Sequence, residues 1–268
     1  MIDGKCDFLS KNTLLRKFDL LGLIVPLLLI ATWYFFPLVA DIPAFILPSL
    51  QSVIIGFIDF TFGNLNLNIY SGTMFAHMSA SFVRVFNGFV IAAALGLTLG
   101  YFSGCSRTIY RLINPIINFL RTIPGIAWLP ISIVWFGIGN SQSVFLISLA
   151  AFFPVYINTC HGVFSVDEEV IAAAKICGTN RLQSFRYIIL PLSLPDVSVG
   201  LRVGLGLSWA YLVLGEQTGV NRGIGAIMQD ARMLGQHQMI IISMLVIALT
   251  AIIFDKLFLL ILKSLNRF

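Results

Sequence analysis

The sequence predicts an all-α, polytopic membrane protein with about six transmembrane helices, and two observations lead to this prediction. The chain has 268 residues, of which 58% are hydrophobic and only 11% are charged, whereas soluble domains carry about 25% charged residues. Its apolar residues also form several uncharged runs of about 20 residues, the length that an α-helix needs to cross a bilayer. No long soluble stretch remains for a separate catalytic domain.

The first part of the chain contains two regular predicted spans. Residues 1–19 are polar and basic, and the uncharged run 20–40 follows as the first span. Pro48 and Ser49 precede a predicted surface-lying amphipathic helix. The apolar residues of this helix recur at helical spacing and are Val53, Ile54, Phe57, Ile58 and Phe60. The second span is 85–106. Small residues that predict a close helix contact recur along it, namely Gly88, Gly96, Gly100 and Gly104.

The third predicted span, 109–136, is discontinuous. Arg121 interrupts it, and three prolines disturb its regular hydrogen bonding, namely Pro115, Pro124 and Pro130. Irregular backbone persists at membrane depth only where protein or a water-filled cavity surrounds it. The sequence therefore makes Arg121, Pro124 and Gly125 candidates for the lining of a translocation pathway. The alternative is a packing kink that contacts no substrate.

Three further spans are predicted at 144–163, 188–217 and 239–262. A short turn, 137–143, precedes the first of them. A polar excursion with a short helix at 224–234 separates the last two. The predicted membrane domain thus covers 20–262, followed by a short tail at 263–268.

The longest polar segment in the second half of the chain is the loop 165–187. Ser165 and Glu168 have the spacing of a capping box, which predicts a helix that starts at Ser165. Gly178 can end this helix in the left-handed conformation, and a second short helical run is predicted at 180–187. The loop is therefore predicted to be a helix–glycine–helix element on a membrane surface.

The distribution of basic residues predicts the orientation of the chain. If both chain ends are cytoplasmic, most of the 17 Lys and Arg residues lie on the cytoplasmic side, as the positive-inside rule requires. The same orientation places the loop 165–187 in the cytoplasm. The net charge of +5 thus needs no nucleic-acid partner.

Ionisable residues within the apolar spans are candidates for function. Arg202 lies inside the fifth span and Glu216 near its end. Arg121 or Arg202 can supply a positive field for a small anion. Alternatively, they bond to neighbouring backbone or pair with Glu216 or Asp196. The histidines and the four cysteines are scattered without metal-ligand spacing.

The loop also carries the most specific pattern of the chain. Ala173-Ala174, then Gly178, then Ile188-x-Leu190-Pro191 resemble the EAA signature of bacterial ABC importer permeases. Ala172 stands where the common pattern has Glu, while Glu168 and Glu169 lie about one turn earlier. Further segments resemble the nitrate, bicarbonate, taurine and alkanesulfonate branch of these permeases, namely 45–49, 127–139, 200–206, Glu216 and 222–225.

The resemblance covers about residues 20–262 and implies a MetI-like fold in a bacterial inner membrane. It implies a transmembrane permease subunit that imports a small anion. The implied partners are a second permease subunit, most simply a second copy, two cytoplasmic ATPase subunits and an external substrate-binding protein. The chain shows no phosphate-binding loop, so it should bind no cofactor itself, and ATP-Mg belongs to the ATPase.

The resemblance also implies roles for individual residues. The expected ATPase-coupling residues are Glu168, Glu169, Ala172, Ala173, Ala174, Gly178, Leu190 and Pro191. The expected pathway residues are Arg121, Pro124, Gly125, Arg202 and Glu216.

Three alternatives stay open at this point. The same scaffold could import another small solute, such as a thiamine-pyrimidine precursor. An ion-driven secondary transporter predicts carboxylates in mid-span, but Glu216 and Asp255 lie near span ends. An intramembrane enzyme needs paired catalytic groups, and the sequence places none together.

Overall fold

The computed structural model describes residues 20–40, 43, 46–63, 65 and 68–265. The predicted segment 1–19, Phe45 of the segment 45–49 and the last three residues of the predicted tail lie outside this part. The α-helices are, in chain order, α1 (Leu20–Ala40), α2 (Leu50–Phe62), α3 (Met74–Cys105), α4 (Arg107–Thr122), α5 (Trp128–Phe136), α6 (Asn140–Phe164), α7 (Glu168–Ile176), α8 (Arg181–Ser184), α9 (Leu190–Glu216), α10 (Ile224–Met233) and α11 (His237–Leu265).

The predicted all-α membrane class is confirmed. Within the described residues, four helices are long and apolar enough to cross a membrane, or five if α4 and α5 count as one bent span. The four are α3, α6, a continuous helix from Arg181 to Glu216, and α11. Helix α1 has the bounds of the first predicted span, and its described side chains from Ile24 to Phe36 are apolar.

The centre of the bundle is a close contact of α3 with α6, as the glycine spacing predicts. Four glycines of α3 face four residues of α6 in the same order, namely Gly88 to Ile147, Gly96 to Val155, Gly100 to Thr159 and Gly104 to Val163. The two helices are therefore parallel. Helix α9 packs on α6 in the opposite direction, with Gly200 at Asn158 and Gly215 at Ser143.

We expect Gly100→Leu to destabilise the bundle by about 1–3 kcal/mol, because a β-carbon at Gly100 would lie 2.6 Å from Cβ of Thr159 and would overpack the contact. Gly206→Leu is the matched control, since a β-carbon at Gly206 meets no atom within 4 Å. Thermal unfolding of both variants in detergent checks this. Equal unfolding temperatures would contradict the close contact.

Helix α2 is confirmed as an amphipathic helix, but part of its apolar face packs inside the chain. Ser49 caps its start through a hydrogen bond to the backbone N–H of Ser52, and Gly63 ends it with φ +70°. Val53 and Phe60 are buried in a cluster with residues of α10 and α11. The prediction that the whole apolar face of α2 lies on the membrane surface is wrong for Val53 and Phe60. Their packing partners lie near the far end of the chain, which the local sequence does not reveal.

Two predicted span boundaries are wrong, because the helices begin with polar residues that the prediction placed outside the span. Helix α3 begins at Met74 rather than at 85, and α6 begins at Asn140 rather than at 144. Both early turns carry polar residues that the sequence assigned to the outside of a span. Arg84 is in fact buried, its Nε donates to Oδ1 of Asn140, and its guanidinium pairs with the carboxylate of Glu216. A charge that is neutralised inside the bundle does not end a helix.

The discontinuous third span is two helices that meet at an angle of 88°. The break lies at Ile123 and Pro124 and continues as a short 3₁₀ turn, Gly125–Ala127. Of the three prolines only Pro124 lies at the break. Pro115 is accommodated within α4. Pro130 lies in the first turn of α5, where backbone N–H groups have no acceptor within the helix.

Candidate transport pathway and coupling loop

A cavity of about 380 Å³ lies against the break between α4 and α5. Residues of the break form one side of it, and residues of α6 and α9 form the other. The lining consists of Arg121, Ile123, Gly125, Trp128, Leu149, Ala150, Phe153, Pro154, Ile157, Asn158, Leu207 and Tyr211. The volume lies within the range of roughly 300–1,000 Å³ that is typical of small-molecule sites.

Two of the sequence-predicted pathway residues, Arg121 and Gly125, line this cavity together. Arg121 ends α4, is exposed, and makes no hydrogen bond or ion pair with any described residue. A β-carbon at Gly125 would collide with the ring of Tyr211. Glycine is therefore required for the break to lie against α9. Pro124 is exposed beside the cavity and is not part of its lining.

The sequence analysis did not predict three residues with polar groups that line the cavity, namely Trp128, Asn158 and Tyr211. The amide of Asn158 donates a hydrogen bond of 2.8 Å to the backbone carbonyl of Pro154. The indole N–H of Trp128 is buried without a partner among the described residues. Each of these residues lies in a mostly apolar segment, where nothing in the sequence distinguishes a cavity residue from a packed one.

Arg202 is not among the residues that line the cavity. Its guanidinium donates two hydrogen bonds of 2.8 Å to the carboxylate of Asp255 on α11, and both side chains are partly exposed. The predicted pairing of Arg202 with Glu216 or Asp196 is wrong. Asp196 instead accepts a hydrogen bond from Ser165 and lies 3.5 Å from the imidazole of His161.

Glu216 also lies away from the cavity, with 1% of its surface exposed. Its carboxylate accepts hydrogen bonds from the guanidinium of Arg84, from Oγ of Ser81 and from the backbone N–H of Gly225. Oγ of Ser81 in turn accepts a hydrogen bond of 3.0 Å from the N–H of Ile224. This polar cluster fastens the start of α10 to α3 and to the end of α9.

A second contact holds α10 from the other side. The hydroxyl of Tyr70 donates a hydrogen bond of 3.0 Å to the carboxylate of Asp230. Burial and this hydrogen bond raise the pKa of Tyr70 to about 12. The ring of Tyr70 also contacts His77, whose Nδ1 lies 3.1 Å from the backbone of Gly223. The loop before α3 is thus tied to α10.

The loop 165–187 has the predicted helix–glycine–helix form. Helix α7 ends at a left-handed Gly178 with φ +83°, which confirms the predicted role of this glycine. The predicted capping box at Ser165 is wrong, because Oγ of Ser165 bonds to the carbonyl of Gly162 and to Asp196 instead. The capping box occurs at the second helix, between Asn180 and Gln183.

The predicted coupling residues of α7 lie on the surface. Glu168, Glu169, Ala172 and Ala173 are exposed, and Ala174 is half-buried. Three apolar side chains project from the same loop, with exposed fractions of 88% for Ile176, 74% for Leu182 and 70% for Tyr187. A polar loop that exposes large apolar side chains is typical of a surface that binds another protein.

The second half of the loop is continuous with a core helix. Helix α8 passes through a π-helical turn, Phe185–Ile189, directly into α9, so that the helix from Arg181 to Glu216 is unbroken. Leu190 and Pro191 form the half-buried first turn of α9. The ring of Tyr101 contacts Phe185, and its hydroxyl bonds to Ser193. Helix α8 is therefore part of the same continuous helix that carries Tyr211.

The described residues contain no group of three or more His, Cys, Asp or Glu side chains suited to a metal ion. The site thus consists of a cavity with one unpaired cation, and a protruding loop that is joined to the cavity by α9.

Comparisons with known proteins identify the family of this chain. Residues 96–268 match the family model described as the inner membrane component of binding-protein-dependent transport systems. The putative aliphatic sulfonates transport permease protein SsuC of Bacillus subtilis is 33% identical over 235 residues, which is 88% of this chain and 82% of that protein. The taurine transport system permease protein TauC of Escherichia coli is 36% identical over 183 residues, or 68% of this chain and 66% of that protein.

The fold has a counterpart among solved structures. A chain of the MetNI methionine ABC transporter, in an inward-facing conformation, superposes with a TM-score of 0.55 at 22% identity and covers 70% of this chain and 90% of that chain. The predicted class and the predicted family therefore agree with independent comparisons of sequence and of fold. The chain belongs to the family of binding-protein-dependent transport system inner membrane components, the permease subunits of ABC importers.

Proposed function

We propose that this permease carries a small solute with an anionic group, such as an alkanesulfonate or the zwitterion taurine, through the cavity at the α4–α5 break. The observation that carries the proposal is the charge of the cavity. Arg121 is charged and unpaired, and no carboxylate is among the lining residues. An unpaired cation in an apolar surrounding attracts anions and repels cations. The names of the similar SsuC and TauC proteins, which refer to aliphatic sulfonates and taurine, support a cargo that carries a sulfonate group.

We further propose that the loop 165–187 is the docking site of a cytoplasmic ATPase subunit. The small side chains of Ala172 and Ala173 permit close approach, and the apolar side chains that project from the loop supply area to bury. Glu168 and Glu169 carry the polar rim, in place of the usual Glu at the position of Ala172. The continuity of α8 with α9 supports transmission of the ATPase motion to the cavity.

In this proposal the protein lies in the bacterial inner membrane with both chain ends in the cytoplasm. It pairs with a second copy of itself, two ATPase subunits bind ATP-Mg, and an external binding protein delivers the anion. The positive-inside rule supports the orientation, since it places the basic loop between α6 and α9 in the cytoplasm. Because the chain belongs to this family of ABC importer permeases, we propose neither an ion-driven transporter nor an intramembrane enzyme.

We expect Arg121→Ala to lower anion uptake about tenfold or more, because the focused field of the cavity is lost. Assembly with the partners should stay close to normal, since Arg121 makes no hydrogen bond or ion pair with a described residue. The measurement is uptake of labelled taurine, butanesulfonate and nitrate into proteoliposomes that hold the complete complex, with ATP inside and binding protein outside.

Arg107→Ala is the matched control, because Arg107 is an exposed arginine at the other end of the same helix, α4. It should transport normally. If the wild-type complex imports none of the three compounds, the proposed cargo class is wrong. If Arg121→Ala imports them at the wild-type rate, the charge of Arg121 does not attract the cargo, and the proposal is contradicted.

A further inference from the structure

We propose that the cavity is a binding site for an aliphatic sulfonate, with Trp128, Tyr211 and Arg121 at the sulfonate head and an apolar wall along the alkyl chain. The inference rests on the proposed function and narrows it. It assigns substrate selection to residues of the membrane subunit in addition to any selection by the external binding protein.

Trp128 supplies the first indication of a bound acceptor. The indole N–H can only donate a hydrogen bond, and a buried donor without an acceptor destabilises a protein. The Nε1 atom of Trp128 is buried without a partner among the described residues, while the residue lines the cavity. A small shift of the ring toward a bound anion would satisfy this donor. The N–H of Trp128 is therefore a candidate donor to a bound anion.

Tyr211 supplies a second donor, and the backbone at Gly125 leaves space for its ring. The absence of a β-carbon at Gly125 lets the Tyr211 ring lie against the helix break. Its hydroxyl makes no hydrogen bond with any described residue. Arg121 lies on the same break and carries a planar set of N–H donors that suits oxyanions. The three donors differ in kind but all favour an acceptor with negative charge.

The rest of the lining distinguishes a sulfonate from smaller oxyanions. Most of the remaining wall is apolar and comes from α6 and α9, namely Leu149, Ala150, Phe153, Pro154, Ile157 and Leu207. Nitrate and bicarbonate have no alkyl group to place against such a wall. An alkanesulfonate has a charged head with several equivalent acceptor oxygens and an apolar chain, so it matches both parts of the cavity.

The test uses the complete complex in proteoliposomes and compares methanesulfonate, butanesulfonate and nitrate as labelled cargo. Trp128→Phe and Tyr211→Phe each remove one donor and keep an aromatic ring. We expect each to lower sulfonate uptake about tenfold, the loss expected for one hydrogen bond to a charged group. The amount of assembled complex should stay unchanged, so that the loss reflects the handling of the anion. Leu207→Ser should lower uptake of butanesulfonate more than that of methanesulfonate, because only the longer chain reaches the wall.

Trp135→Phe is the matched control, since Trp135 lies on the same helix as Trp128, is exposed and does not line the cavity. It should transport all cargo normally. Assembled complex is quantified for each variant. If Trp128→Phe impairs assembly, Tyr211→Phe decides alone, because it removes a single hydroxyl.

The outcomes separate this inference from the proposed function. A wild-type complex that imports no anion contradicts the proposed function itself. A wild-type complex that imports nitrate but no sulfonate overturns only the sulfonate site. So does normal sulfonate uptake by both Trp128→Phe and Tyr211→Phe.

Discussion

Gly178→Val is expected to abolish the stimulation of ATP hydrolysis by substrate and with it ATP-driven uptake. Gly178 has φ +83°, and valine, being β-branched, is a conformational outlier there. The left-handed conformation costs an ordinary L-residue about 1–2 kcal/mol, and a β-branched residue more. The turn must then open, so α7 and α8 no longer present one docking surface.

The structure offers a matched control for this prediction. A β-carbon at Gly178 meets no atom within 4 Å, so the defect of the valine variant comes from the backbone and not from a collision. Gly178→Asn adds a side chain at the same place but tolerates the left-handed conformation. It should therefore retain most of the activity. Co-purification of the ATPase subunit and its hydrolysis rate measure the two variants side by side.

Ala173→Arg tests the docking surface without altering the turn. Ala173 is exposed on α7, so arginine should be accepted by the fold of this chain but should obstruct close approach of a partner. We expect the same loss of coupling as for Gly178→Val. Wild-type stimulation in both variants would show that the loop is not the coupling element.

The loop shows what local sequence can predict. The helix–glycine–helix form and the left-handed glycine depend on residues that are neighbours in the chain, and the structure has both. The capping box was misplaced because Ser165 bonds to Asp196, a residue of α9. Capping spacing by itself does not reveal that a more distant carboxylate competes for the same hydroxyl.

In the cavity, too, some residues are predictable from their neighbours in the chain, and others depend on how the helices pack. The proline, the glycine and the arginine of the helix break lie close together in the sequence, and two of them, Arg121 and Gly125, line the cavity. The opposite wall comes from α6 and α9, so Asn158 and Tyr211 become cavity residues only when those helices pack. The close glycine contacts that set this packing determine the register of the helices, which spacing within one helix does not specify.

The charged residues were the least predictable part, because their partners lie far apart in the chain. Arg84 and Glu216 are separated by 132 positions, and Arg202 and Asp255 by 53. The predicted second span starts directly after Arg84, and Glu216 lies near the end of the predicted fifth span. Their side chains neutralise each other inside the bundle, so α3 begins well before Arg84, whereas α9 ends at Glu216, close to the predicted boundary.

Arg84→Ala is expected to destabilise the protein by about 3–5 kcal/mol, the usual cost of removing one partner from a buried ion pair. The carboxylate of Glu216 would keep its hydrogen bonds from Ser81 and Gly225 but would lose its counter-charge in a site that water does not reach. Because this carboxylate also anchors the start of α10, the outer turns of α3, α9 and α10 should separate early. Thermal unfolding and the accessibility of this region to proteases measure the effect.

Two further variants isolate the ion pair as the cause. Arg222→Ala removes an exposed arginine close to the same cluster and should change stability by less than about 0.5 kcal/mol. The double variant Arg84→Met with Glu216→Leu removes both charges, so it should be more stable than Arg84→Ala alone. Its recovery should be incomplete, because the N–H of Gly225 loses its acceptor. A double variant no more stable than the single one would show that Arg84 stabilises the bundle by packing, not by its charge.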